Sequence, residues 1–278
     1  MLGHTLFRGL AKLTDLNVTA LVRSNNNKTC FANWLQPRII SGCDGTKSHD
    51  LSNLFEITQP DIVINCVSSG QANLSSKEFE KNYSILALLP HRLAALCQIH
   101  KTRLIHVSTD GVFSGDSGNY TEQSIPDARD QYGKLKAMGE LTHSNTITLR
   151  TSIIGHELVT RKYLLEWFLL QEEACRGYTG AIFTGITTLE LSRVIIDHII
   201  PKSSLNGIYH VATDPITKYE LLQIIAKIYK KNIKLIPDNR VVIDRSLNAS
   251  KFMNATGYRA PDWLTLVESM HSHQRGVL

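Results

Sequence analysis

An apolar run, Leu104-Ile105-His106-Val107, leads directly into Ser108, Thr109 and Asp110. Tyr132 and Lys136 follow a short way downstream, four residues apart. Residues at i and i+4 share a helix face, so this phenol and this ammonium can point into one cleft. A hydroxyl, a phenol and an ammonium together can hand a proton to a carbonyl oxygen while hydride reaches the carbonyl carbon. A free phenol titrates near ~10 and is a poor acid–base group at neutral pH. A neighbouring ammonium favours the phenolate and is expected to lower that value. The spacing alone discriminates little. With nine tyrosines and 16 lysines in 278 residues, chance supplies about half a Tyr-x-x-x-Lys pair. The one pair present is, on spacing alone, equally an ordinary exposed helix pair.

Elements placed around these residues alternate between strand and helix. Residues 18–22, 62–66, 104–107, 146–149 and 208–211 read as strands, with a short one at Ile39-Ile40. Residues 79–100, 132 to about 143, 189–200 and 218–229 read as helices. Residues 24–28 read as a polar loop, and 177–188 as loop with short β pieces. The expected fold class is therefore α/β, a Rossmann-like parallel sheet with helices on both faces. In such sheets ligands sit beyond the carboxyl ends of the strands. Asn65, Ser108 and Arg150 all fall at those ends. The expected organisation is a dinucleotide-binding domain over residues 1–155 and a small C-terminal substrate lobe over 156–278. Residues 188–212 are expected to return to the first domain.

Composition sets the bounds. Hydrophobic residues make up 42% and charged residues 20%, with a net charge of +5, an ordinary globular balance. The basic excess is dispersed, which argues against nucleic-acid binding. No apolar stretch of ~20 residues is present, so no membrane span is expected. No secretory leader is read at the start. Cys30, Cys43, Cys66, Cys97 and Cys175 are widely spaced, without a CxxC pair, and read as reduced thiols in a cytoplasmic protein. No metal spacing is found. His106, inside a strand, reads as a packed residue.

Residues 103–140, RLIHVSTDGVFSGDSGNYTEQSIPDARDQYGKLKAMGE, resemble the extended short-chain dehydrogenase/reductases. Within them they are most similar to the dTDP-4-dehydrorhamnose reductase group. That group shows S-T-D-x-V-F, a Gly-rich stretch, Y-x-E, a proline and Y-G-x-x-K-x-x-G-E. The resemblance implies that Thr109, with Ser108 beside it, hydrogen-bonds the reacting carbonyl. It implies Tyr132 as proton donor and Lys136 as its activator and cofactor ligand. Asp110, Arg150, Thr151 and Ser152 are the implied substrate-binding residues. The implied substrate is a nucleotide-activated 4-keto-6-deoxy sugar used for cell-surface polysaccharides, and a homodimer is allowed. Two departures concern the exact sugar: Gly111 stands where tyrosine is common, and Ile153 where tryptophan is common.

At the amino terminus, Met1-Leu2-Gly3-His4 resembles only the end of a G-x-x-G-x-x-G motif, with Gly3 as its last glycine. A first strand and two glycines are not encoded before it. An internal methionine taken as the start, a truncated gene, and a real loss of cofactor binding are the open explanations. The intact Thr-Tyr-Lys set favours the first two. Leu2 and Gly3 are then the remaining phosphate-loop residues. Arg23, with Ser24 at the second strand end, suits a 2′-phosphate and so NADPH rather than NADH. By resemblance Asp44 contacts adenine, Asn65, Cys66 and Val67 flank the cofactor, and Asn82 matches a family asparagine. Two other functions are carried: a nucleotide-sugar epimerase or dehydratase, and a non-catalytic reductase-like binding or regulatory subunit.

Overall fold

The computed structural model describes residues 1–69 and 76–273; Gly70, part of the small-residue stretch after residue 66, lies outside them. The chain opens with α1 (Leu2–Leu10), β1 (Ala20–Val22), α2 (Asn25–Lys28), β2 (Ile39–Ser41), α3 (Ser48–Thr58) and β3 (Ile62–Asn65). A long helix follows in three parts: α4 (Ser76–Asn82), a π-wound segment Tyr83–Leu88, and α5 (Leu89–Ile99). The wider winding accommodates Pro90, which has no N–H to return to the preceding turn. Next come β4 (Arg103–Val107), a 3-10 turn Asp110–Val112, α6 (Gln131–Met138), β5 (Thr146–Arg150) and β6 (Ile153–Ile154).

The remainder begins with α7 (Leu164–Leu170), β7 (Ala174–Phe183) and β8 (Ile186–Thr187). Then come α8 (Thr188–Val194), running into a second π segment Ile195–Ile199, and β9 (Gly207–His210). The chain finishes with β10 (Ile216–Thr217), α9 (Lys218–Ile228), β11 (Lys234–Asp244), α10 (Ser250–Thr256) and α11 (Trp263–Ser272).

The central sheet is parallel in the order β3-β4-β5-β9. Its strands are apolar on both faces because helices cover both. Alternation along β4 sends Leu104 into a cluster with Leu51, Phe55, Leu93 and Cys97 from α3 and α5. Ile105 goes the other way, to Leu2 and Leu6 of α1 and Leu191 and Val194 of α8. Strands β1 and β2 form a separate parallel pair, and β3 is an edge of the four-stranded sheet. Leu21 of β1 is 51% exposed.

The polar loop expected at 24–28 is instead a cap, Ser24, and a short helix, α2, and the expectations for 177–188 and for the end of the Tyr132 helix also need correcting. The stretch 177–188 is mostly strand: β7 is ten residues long and pairs with β11 in parallel and β10 antiparallel. Its glycines mark close approach rather than loop. A methyl at Gly177 would lie 2.9 Å from Tyr219 Cα, and one at Gly180 would lie 2.8 Å from the Val241 carbonyl oxygen. Strand β11 was not anticipated, because Pro237-Asp238-Asn239-Arg240 breaks its apolar alternation; the register shifts there. The Tyr132 helix stops at Met138, short of residue 143. Gly139 abuts the π segment, where a methyl would come within 2.1 Å of the Leu86 carbonyl oxygen. Among the described residues no helix is long and apolar enough to cross a membrane.

Candidate active site

The turn after β4 and the start of α6 set the site. Thr109 caps the Asp110–Val112 turn: its hydroxyl accepts from the Gly111 amide at 3.1 Å and donates to Asp110 Oδ1 at 3.2 Å. Asp130 caps α6 by accepting from the Gly133 amide at 2.8 Å. Helix α6 then leans on the Thr109 turn at a point where only glycine fits. A methyl at Gly133 would come within 2.1 Å of the Gly111 carbonyl oxygen. Tyr132, one residue earlier, is thereby held beside Thr109. Its phenol lies 3.4 Å from Ser68 Oγ, beyond the end of β3, and its ring shares with the Thr109 hydroxyl the space beside Gly111. Three hydroxyls thus converge at the carboxyl ends of two adjacent strands.

Lys136 does share the helix face of Tyr132, but it is almost fully buried. Its Nζ donates to the Val107 carbonyl oxygen at 2.8 Å. Burial lowers the ammonium to about 8, against the opposing pull of Glu140 and Cys66. The expected lowering of the phenol is not found. Burial raises Tyr132 above its ordinary value, Asp110 and Tyr163 add to the rise, and the Ser68 and Thr109 hydroxyls oppose it. Desolvation of the phenolate is the main cause, and the Lys136 charge is not among the leading influences on the phenol.

Ser108 and Arg150 are placed differently from the sequence expectation. Both are buried, and both are bound to Glu140. Ser108 Oγ donates to Glu140 Oε1 at 2.8 Å. The Arg150 guanidinium makes a two-pronged pair with the same carboxylate, at 2.8 and 2.7 Å. It lies over the Phe113 ring and beside His210. This network ties β5 to the end of α6, so the polar groups of Arg150 and Ser108 are engaged with Glu140 in the interior. Thr151 is also buried. Ser152 is half-buried, and its hydroxyl is among the groups that favour the ionised form of Asp110 against the rise that burial imposes.

On the other flank, Gly3 is exposed at the start of α1, and a methyl there would touch only Cys66 Cβ, at 3.5 Å. Leu2 turns into the core, so only its backbone is left to meet a ligand. Arg23 and Ser24 are exposed past β1. The Arg23 charge reaches Asp44 beyond β2, and hydrogen bonds from Thr46 hold that carboxyl below its ordinary value. Asn65 is buried: its amide donates to His106 Nδ1 at 3.1 Å, and its carbonyl accepts from the Val67 amide. It shapes the turn. Val67 is 49% exposed, and burial pushes the Cys66 thiol up to about 12. Asn82 is buried. These residues fit a dinucleotide: helix N-terminal amides at exposed Gly3, a cation at exposed Arg23, and exposed Val67 and Ser68 beyond β3 beside Tyr132.

Sequence reasoning passed over Glu140, Ser68 and Lys218. Glu140 lies four residues after Lys136, and that spacing was the available signal. The signal for Lys218 was Thr217-x-x-Glu220, a capping box that fixes a helix start and puts a cation at its positive end.

Residues 1–164 match the family model described as the RmlD substrate binding domain. The dTDP-4-dehydrorhamnose reductase of Aggregatibacter actinomycetemcomitans is 25% identical over 258 residues, covering 84% of this chain and 88% of that protein. Methionine adenosyltransferase 2 subunit beta of Danio rerio is 26% identical over 211 residues, covering 71% of this chain and 64% of that protein. The crystal structure of dTDP-4-dehydrorhamnose reductase from Bacillus anthracis in complex with NADP superposes with a TM-score of 0.73 at 21% identity. It covers 91% of this chain and 98% of that one, and shows the shared fold. With the S-T-D turn, the Tyr132–Lys136 helix and the parallel sheet in place, the chain belongs to the RmlD substrate-binding-domain family, among the dTDP-4-dehydrorhamnose reductase-like short-chain dehydrogenase/reductases.

Proposed function

We propose that this protein reduces the 4-keto group of a nucleotide-activated 6-deoxy sugar with NADPH. The observation that carries the reading is the convergence of the Thr109, Ser68 and Tyr132 hydroxyls above buried Lys136. NADPH, when bound, supplies hydride to the carbonyl carbon. Gly3, Leu2 through its amide, Arg23, Ser24, Asp44, the 65–67 turn and Lys136 are the residues that would hold it. In this arrangement residues 1–155 carry the dinucleotide and 156–278 chiefly the sugar.

The Tyr132 phenol is protonated at neutral pH, as an acid must be. It gives its proton to the oxygen that gains charge as the carbonyl is reduced. Thr109, and Ser68 through Tyr132, orient that oxygen and the phenol. The Lys136 charge lies beneath and favours the phenolate left behind. Its remaining N–H groups are available to a ribose hydroxyl, since one already holds the Val107 carbonyl.

Purified protein given dTDP-4-dehydrorhamnose and NADPH should consume both in equal amounts and yield the 4-hydroxy sugar. Turnover of a nucleotide sugar without net NADPH consumption would favour an epimerase or dehydratase. A binding-subunit reading is favoured by one observation, the likeness to methionine adenosyltransferase 2 subunit beta. It expects no turnover of any 4-keto sugar.

A further inference from the structure

Strand register pairs Asn65, the last residue of β3, with His106 of β4. Both side chains are buried, and the Asn65 Nδ2 group lies 3.1 Å from His106 Nδ1. Asn65 Oδ1 accepts from the Val67 amide at 3.1 Å. That second bond fixes which end of the side-chain amide is oxygen, so the NH2 end faces the ring. Nδ1 is then the acceptor, and the proton of the neutral imidazole sits on Nε2. A charged ring would carry hydrogen on both nitrogens and set a donor against a donor. Burial holds the ring well below its ordinary value, with the Lys136 and His91 charges adding, so the bond persists at neutral pH.

For packing alone this ring is a poor choice. Its Nε2 is buried and, among the described residues, finds no hydrogen-bond acceptor. A buried N–H without a partner destabilises a fold, and an apolar side chain leaves none. Leu104, on the same face of β4, shows the alternative by packing against Leu51, Phe55, Leu93 and Cys97. What the imidazole supplies and a leucine cannot is an acceptor for Asn65. The bond from Asn65 to an amide two residues on is what turns the chain after β3. Ser68 leaves that turn with its Oγ 3.4 Å from the Tyr132 phenol oxygen. A continuous line of contacts thus runs from β4 through the end of β3 to the phenol.

We infer that His106 is a positioning residue for the proton donor: through Asn65 it fixes the turn that holds Ser68 against the Tyr132 phenol. The inference rests on the proposed reductase reading. A phenol out of place slows proton transfer and leaves binding of cofactor and sugar intact, so the effect belongs in kcat.

The test compares wild type with His106→Leu, His106→Asn and Ser68→Ala. Asparagine sets an amide oxygen near the place of Nδ1 and so keeps an acceptor; leucine fills the space and offers none. With dTDP-4-dehydrorhamnose and NADPH, His106→Leu should lower kcat about 10–100-fold with both KM values nearly unchanged. His106→Asn should recover most of that loss whatever its melting temperature. In a Ser68→Ala background, His106→Leu should cost only a few-fold more, because its route is already cut. Losses that track melting temperature across the variants, or full additivity with Ser68→Ala, overturn the inference. NMR of protein with isotopically labelled histidine and tyrosine adds a readout that needs no turnover. Wild-type His106 should show a bare Nδ1 and a protonated Nε2, and the Tyr132 signal should move in His106→Leu as it does in Ser68→Ala. The opposite tautomer in wild type overturns the inference even if His106→Leu does not fold. Wild type that oxidises no NADPH while the Tyr132 signal responds sinks the reductase reading and leaves the His106–Tyr132 link standing; oxidation with an unresponsive signal does the reverse.

Discussion

Gly133 rests against the carbonyl of Gly111 so closely that a methyl group on it would stand 2.1 Å from that oxygen and 2.5 Å from Ala128 Cβ. This contact brings the start of α6 onto the Thr109 turn and fixes where the Tyr132 phenol lies. Backbone and a packed methyl cannot yield as a flexible side-chain tip would. Gly133→Ala should therefore cost about 1–3 kcal/mol of stability and lower turnover further than the stability loss explains. Denaturant melts and kcat on the same preparation check this; a variant matching wild type in both would refute the contact's role.

Glu140 anchors Arg150 and Ser108 beneath the site. Removing one member of a buried, two-pronged pair strands the other charge in a dry interior. Glu140→Ala should destabilise the fold by about 3–5 kcal/mol. The double variant Glu140→Leu with Arg150→Met should recover a large part, because it leaves no orphan charge. Urea unfolding of the two variants checks this; a double variant as destabilised as Glu140→Ala would contradict it.

Lys136 is lowered to about 8 by burial, so its charge is lost as pH rises through that value. Turnover should be level below about pH 8 and fall above it. The sign for stability is the opposite. The folded value lies below the unfolded 10.5, so between the two the unfolded chain holds more protons and this lysine's contribution to stability rises with pH. Loss of this lysine's charge therefore does not itself destabilise the fold, and a melting curve at each pH separates a fall in rate from unfolding. Lys218 also titrates near 8, so the profile is repeated in Lys218→Met, where the falling limb should persist. A flat profile to about pH 10 would show that the Lys136 charge is not needed.

Arg23 stands exposed past β1, within electrostatic reach of Asp44. If it meets the 2′-phosphate, Arg23→Glu should reduce kcat/KM for NADPH by about 10–100-fold, the worth of a charged hydrogen bond, and leave NADH use nearly unchanged. Parallel steady-state kinetics with the two cofactors would show it. An equal loss with both would place Arg23 outside the cofactor's reach.

Much of this arrangement was legible in the residues. The apolar runs at 62–66, 104–107 and 146–149 read as buried parallel strands, and their ends point to Asn65, Ser108 and Arg150. The Tyr132–Lys136 spacing gave the shared face. Burial was not legible. Spacing cannot tell that Lys136 lies deep enough to bond the Val107 carbonyl, or that desolvation dominates at Tyr132. Nor could it show that Arg150, at a strand end like Asn65, pairs with Glu140 across the fold. Partners that are close in space and distant in sequence leave no local pattern, and β11, interrupted by Pro237 and Asp238, leaves a misleading one.

The most direct test of the central claim is Tyr132→Phe, which removes one hydroxyl and keeps the ring. With dTDP-4-dehydrorhamnose and NADPH saturating, turnover should fall by about 10²–10⁴-fold with the melting temperature nearly unchanged. Turnover within a few-fold of wild type would contradict the assignment of the Tyr132 phenol as the proton donor.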